Sequence, residues 1–303
     1  MTLRSLALDL YPARAASAAS DFLELTKPRI VMLVLVTTLA GFYMGSSSSP
    51  DLILLVATLA GTGLAAAGSL ALNQYLERAE DGRMLRTRKR PLPEGRVQPI
   101  DALLFGSLLT VAGIGWLLLA VNPLTAAVTA LTVLSYLFAY TPMKYRSALC
   151  TVVGAIPGAL PPVTGWCAAT GHLGVGAAIL FGVMFFWQLP HSLAIAWIYR
   201  EDYARAGTRL LPTVEPDGHS TARQIVVNAL ALLAVGLLPT LVGLAGWVYF
   251  VVAFVMGGWL LADALRAGRE LDMRGTRRLL YTTFLYVPIV LLAMALDRIP
   301  LRV

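Results

Sequence analysis

Nine apolar runs, at about 29–46, 52–76, 100–121, 124–141, 148–166, 174–198, 223–243, 246–265 and 278–296, constrain this chain more than any other feature. Each is long enough to cross roughly 30 Å of hydrocarbon at about 1.5 Å per residue. Hydrophobic residues make up 57% of the chain and charged residues only 14%, against about a quarter charged in ordinary soluble domains. The reading is an all-α membrane protein: a nine-helix bundle around a central cavity that opens at one rim. Gly154, Pro157, Gly158, Pro161 and Pro162 fall inside one run. Such residues are tolerated in a membrane bundle, where neighbouring helices satisfy the freed backbone groups. The least marked boundaries are the tight turns at Asn122-Pro123 and Leu244–Gly246, where two helices could be read as one long segment. The first 20 residues are mixed and lack the apolar core of a cleavable signal peptide. Cys150 and Cys167 are too few for a disulfide framework and read as small buried hydrophobes.

The basic residues fall in alternate loops. They lie in the N-terminal tail, after runs 2, 4, 6 and 8, and account for 22 of the 24 Lys and Arg; the exceptions are Arg298 and Arg302. Positive charge marks the cytoplasmic side of membrane proteins. The N-terminus is therefore expected inside and the C-terminus outside, and the net charge of +7 needs no nucleic acid. The division expected is a cytoplasmic tail over 1–28 and one membrane domain over 29–303. The long polar loops at about 77–99 and 199–222 would carry the active site.

At the end of the second run, Asn73, Glu77 and Asp81 are spaced i, i+4, i+8. On a helix this puts three oxygen-bearing side chains on one stripe, roughly 6 Å apart along the axis. Oxygen ligands of this kind suit Mg²⁺; a solvated helix end explains the spacing as well. A basic stretch follows, Arg83, Arg86, Arg88, Lys89 and Arg90. Alone it reads as a topology signal or lipid contact. Beside carboxylates it reads as half of a diphosphate site. The sixth run ends in a similar block, Tyr199-Arg200-Glu201-Asp202-Tyr203, with Gly207 and Pro212 ending the helix. Asp202 there could provide a second carboxylate for the metal, and Arg200 and Arg205 could bind phosphate oxygens; considered alone, the block is a common amphipathic helix end. His191, inside the sixth run, reads as an interhelical hydrogen-bonder or a ligand for an acceptor group. His172 and His219 look ordinary.

Together these residues resemble the UbiA-type intramembrane prenyltransferases, and among them the protohaem IX farnesyltransferase (haem O synthase) branch. The superfamily pattern Asn-x-x-x-Asp-x-x-x-Asp appears as Asn73, Glu77 and Asp81, with Glu at the middle position. The branch-like stretches are Leu25-Thr-Lys27-Pro28-Arg29, Asp81–Pro91, Tyr140-Thr-Pro-Met-Lys144 and Tyr199–Pro212. In the last of these the usual spaced pair of aspartates is reduced to Asp202 beside Glu201. The resemblance implies a transferase that moves farnesyl from farnesyl diphosphate to a vinyl group of haem b, for haem O biosynthesis. Its cofactor would be Mg²⁺, held by Glu77, Asp81 and Asp202. Arg86, Arg88, Arg90, Lys144 and Arg200 would bind diphosphate, Asn73 would complete the catalytic stripe, and His191, Trp197 and Tyr199 would face the acceptor. The implied setting is a bacterial cytoplasmic (inner) membrane, with the bilayer, haem A synthase or a terminal oxidase as partners. A sister prenyltransferase with a quinone-precursor acceptor stays open, as does a transporter, although transporter sites sit nearer the membrane midplane.

Overall fold

A computed structural model describes residues 18–47 and 49–300. Among them, nine helices are long and apolar enough to cross a membrane: α1 (Pro28–Gly45), α2 (Leu52–Leu76), α3 (Pro99–Ala120), α4 (Pro123–Met143), α5 (Cys150–Thr170), α6 (Val175–Ile198), α7 (His219–Leu241), α8 (Trp247–Arg269) and α9 (Met273–Leu296). Their starts follow local chemistry. Proline, which has no N–H to satisfy, opens α1, α3 and α4. The Asp51 carboxylate accepts from the N–H groups of Ile53 and Leu54 at α2, and the Asn122 side chain accepts from Thr125 N–H at α4. Helices α7 and α9 begin four to five residues before the apolar runs do, because the basic turns ahead of the hydrocarbon are themselves helical.

Two helices depart from regularity, and both departures face the cavity. The last part of α4, Ser135–Tyr140, is π-helical, a form frequent at functional sites. It brings Tyr136 and Tyr140 into a stack with ring centroids 5.8 Å apart. Helix α5 is interrupted at Leu160, before Pro161 and Pro162, neither of which supplies an N–H to the helical ladder.

Successive helices pack side by side, and α9 returns to α1. Lipid tails supply no hydrophobic drive between helices, so close approach depends on small residues. Gly61, Ala65 and Gly68 of α2 meet Gly106, Thr110 and Gly113 of α3. Where α1 crosses α5, a Cβ at Gly41 would overlap the Pro162 carbonyl, and one at Gly165 would overlap the Thr38 carbonyl. Gly165→Val is therefore expected to cost at least about 1–3 kcal/mol, read as a lower thermal midpoint in detergent.

Helices α5 to α9 enclose one large apolar core that includes Trp166, Trp187, Tyr249 and Tyr286. The cavity lies on the other side, among α1, α2, α4, α5 and α6. Within the expected tail 1–28, residues 1–17 lie outside the described residues, while 18–25 form a helix packed on the bundle. Leu25 is buried there, Gln74 donates to the Leu25 carbonyl at 2.9 Å, and Arg96 pairs with Asp21 and Glu24.

Candidate active site

Helix α2 ends at Leu76. Glu77, with φ −96° and ψ 12°, is the joint after which a helical turn, Arg78–Asp81, resumes. The offset is small enough that Asn73, Glu77 and Asp81 all line one cavity, whose space with its open mouth is about 1960 Å³. The three are nearly fully buried, and a basic group meets each. Lys27 Nζ donates to Asn73 Oδ1 at 3.2 Å, and Asn73 Nδ2 donates to Glu77 Oε2 at 3.0 Å. Lys144 Nζ donates to both Glu77 oxygens, at 2.7 and 3.0 Å. Arg90 donates to Asp81 Oδ2 at 2.6 Å.

The charges are mutually adjusted. Burial pushes the Glu77 carboxyl up, but the Lys144 ammonium outweighs this and holds it below the usual carboxylate range. Burial likewise pulls Lys144 down, yet Tyr140 and Glu77 raise it well above its ordinary value. Lys27 goes the other way. Burial, followed by repulsion from Arg90 and Lys144, lowers it to about 7. It is also one of two described non-glycine residues with positive φ, at 49°. That left-handed turn just ahead of Pro28 costs backbone energy and leaves the ammonium facing the cavity.

Of the residues singled out in the sequence, the cavity wall contains Asn73, Glu77, Asp81, Arg86, Arg90 and Lys144. Asp202 sits apart from these residues. Its carboxylate accepts from Leu85 N–H at 3.0 Å, from Arg86 N–H at 3.3 Å, and from Arg205, so it holds the turn over 82–90 and does not line the cavity. Among the described residues, no three His, Cys, Asp or Glu side chains gather closely enough to hold one ion. The carboxylates that do face the cavity together are Glu77 and Asp81. Two carboxylates still fit Mg²⁺, which is commonly held by one or two carboxylates with the remaining positions filled by water and phosphate.

Five other expected site residues also lie off the cavity wall. Arg88 is exposed. Arg200 sits over the Trp197 ring and donates to the Trp197 carbonyl. Trp197 donates to the Leu271 carbonyl at 2.7 Å, which ties α6 to the loop between α8 and α9. Tyr199 is exposed beneath the Arg86 guanidinium. His191 stacks on Trp187, and its Nδ1 lies 2.9 Å from Thr283 Oγ1 in the seam between α6 and α9. It is one helical step away from the cavity-lining Gln188 and Ser192.

Sequence reasoning missed Lys27 as a site residue, although it stands in the Thr-Lys-Pro-Arg segment quoted above. It also missed the aromatic wall of Tyr136, Tyr140, Tyr145, Trp187 and Tyr203. Aromatic residues at helical spacing look like ordinary core, and only the π-helical turn of α4 aims two of these inward.

A family profile described as the UbiA prenyltransferase family matches residues 34–296. The chain is 47% identical to a Protoheme IX farnesyltransferase of Solibacter usitatus (strain Ellin6076), across 92% of this chain and 98% of that protein. Among solved structures it resembles a digeranylgeranylglyceryl phosphate synthase, with TM-score 0.76, 16% identity, and coverage of 93% and 98% of the two chains. A UbiA homolog from Archaeoglobus fulgidus, bound to GPP and Mg²⁺, gives TM-score 0.65 at 16% identity, with 91% and 99% covered. These structural likenesses extend over the whole bundle.

Proposed function

The chain belongs to the UbiA prenyltransferase family, and from that membership we propose that it transfers a farnesyl group from farnesyl diphosphate to a vinyl group of haem b, forming haem O. The observation that carries this reading is the 47% identity, over 92% of this chain, to the Solibacter farnesyltransferase. The cavity supports it chemically: a paired-carboxylate rim leads into an apolar, aromatic interior. A quinone-type acceptor is the second reading, since the rim would serve it equally well.

The diphosphate would enter between Glu77, Asp81 and the surrounding Lys27, Arg86, Arg90 and Lys144. The phosphates would take over Lys144 and Arg90 from their carboxylate partners. Glu77 and Asp81, so released, are the groups that would hold Mg²⁺. When bound, the ion neutralises charge that grows on the leaving diphosphate. As the C1–O bond breaks, its electron pair leaves with the diphosphate, and the basic residues stabilise that charge in a site with little water. The faces of Tyr136, Tyr140 and Trp187 suit the allylic cation left behind. The terminal vinyl carbon then bonds to C1. The new cation beside the porphyrin takes a water, which gives up a proton, and the hydroxyethyl-farnesyl side chain is complete.

Asp202 is assigned here to the loop, because its oxygens serve backbone N–H groups. His191, Trp197 and Tyr199 lie outside the cavity, and the acceptor pocket is assigned to the wall of α4, α5 and α6. We assign the basic rim to the cytoplasmic side of a bacterial inner membrane; the Lys and Arg distribution supports the side, and the bacterial relatives support the membrane. Haem A synthase or a terminal oxidase, as consumer of the product, is the expected partner.

Purified protein incubated with haem b, farnesyl diphosphate and Mg²⁺ is expected to yield haem with the mass of the hydroxyethyl-farnesyl adduct. Prenylation of 4-hydroxybenzoate in place of haem would replace this reading with the second one.

A further inference from the structure

On four of the five helices that line the cavity, the last lining residue away from the basic rim is a threonine: Thr37 on α1, Thr62 on α2, Thr129 on α4 and Thr164 on α5. Met184 holds the same position on α6. Beyond them the bundle is closed by core residues such as Phe42, Val128 and Cys167. The floor of the cavity is therefore built mainly from hydroxyl-bearing side chains, although the walls leading to it carry Leu33, Val34, Leu70 and Val133.

Threonine in a membrane helix ordinarily bonds back to its own helix, as the Thr37 hydroxyl does with the Leu33 and Val34 carbonyls. The hydroxyls of Thr62 and Thr129 do not. Both residues are 4% exposed, and neither hydroxyl has a hydrogen-bond partner among the described residues. A buried unpaired hydroxyl is costly, most of all at membrane depth. Thr62 precedes Glu77 by fifteen residues, about 22 Å at roughly 1.5 Å per residue. That is close to the length of an extended chain of three isoprene units with its diphosphate.

We propose that this threonine floor, with Thr62 and Thr129 at its centre, sets the length of prenyl chain that the enzyme accepts. This rests on the reading of the rim as the diphosphate site. A chain of three units anchored at Glu77 and Asp81 fills the apolar walls and ends at the floor. A fourth unit must press against the threonine side chains and the close-packed core, and a two-unit chain leaves apolar wall uncovered. The floor is not a seat for an anionic group, because none of its five residues carries a charge and a carboxylate there would be desolvated without a partner.

Calorimetric titration of the detergent-solubilised protein with geranyl, farnesyl and geranylgeranyl diphosphates in Mg²⁺ tests this without any acceptor. Affinity is expected to rise from geranyl to farnesyl and then stop rising or fall; a steady rise through geranylgeranyl overturns the floor. Binding of none of the three would overturn the diphosphate reading itself. In the transfer assay, Thr62→Ala combined with Thr129→Ala is expected to raise the geranylgeranyl-to-farnesyl ratio of kcat/KM about tenfold or more, the scale on which pockets discriminate added carbons. Thr62→Leu is expected to move the geranyl-to-farnesyl ratio upward. Unchanged ratios in both folded variants would overturn the proposal, since general loss of stability does not shift chain-length preference in opposite directions.

Discussion

The Glu77→Ala, Asp81→Ala double variant is expected to lose at least about 10³-fold in kcat, because removing one preorganised group that stabilises developing charge typically costs about 10²–10³. Both carboxylates are buried, with side chains 8% and 2% exposed, and each is paired to a cation. Their loss removes the two carboxylates that face the cavity together and leaves Lys144 and Arg90 without their carboxylate partners. Those freed cations would attract diphosphate more strongly in the ground state. KM should therefore fall or hold while kcat collapses, which is the pattern for a group that acts on the transition state more than on binding. Diphosphate release, followed against Mg²⁺ concentration, separates this from a folding defect, as does an unchanged helical circular-dichroism spectrum. If the double variant kept activity within tenfold of the parent, the rim would not be the reaction centre.

How far the site could be read from sequence depended on the distance over which each residue is determined. The stripe of Asn73, Glu77 and Asp81 is set within one helix end, so its spacing was enough, and the break at Glu77 did not disperse it. The nine spans were legible for the same reason, each being a local run. Asp202 was not legible, because its direction is decided by backbone groups 116 and 117 residues away. An acidic residue at a helix end beside arginines looks the same whether it faces an ion or a turn. Lys27 is a similar case: a lysine just before a span reads as a topology charge, and the folded chain, with its turn at φ 49°, sets it in the cavity wall. The cavity floor was illegible too, since threonines scattered through apolar runs ordinarily satisfy themselves, and it takes the packed bundle to show that two of the floor's threonines do not.

Asp202→Ala tests whether the second acidic block acts through the loop or through the metal. The Asp202 carboxylate receives two backbone N–H groups of the 82–90 turn together with Arg205, and that turn carries Arg86 and leads to Arg90. Hydrogen bonds to a charged group are worth about 1.5–3 kcal/mol each when buried. Alanine is therefore expected to loosen the turn and misplace two guanidinium groups, with a loss in kcat/KM on the order of 10²-fold, as a misplacement of about 1 Å can produce. The Mg²⁺ concentration for half-maximal rate should stay where it is; a metal ligand lost from the site would raise it, and such a rise would overturn the loop assignment. Stability gives an independent check. Although burial raises the Asp202 carboxyl, the hydrogen bonds from Arg205, Leu85 and Arg86 outweigh it and hold the folded value below 3.8. A depressed folded value means that the contribution is complete above the unfolded value and lost as pH falls through the folded one. The parent should therefore unfold at higher temperature than Asp202→Asn at pH 7, and the gap should close only in acid below about pH 4. A gap that was constant with pH would leave the carboxylate charge without the role given to it here.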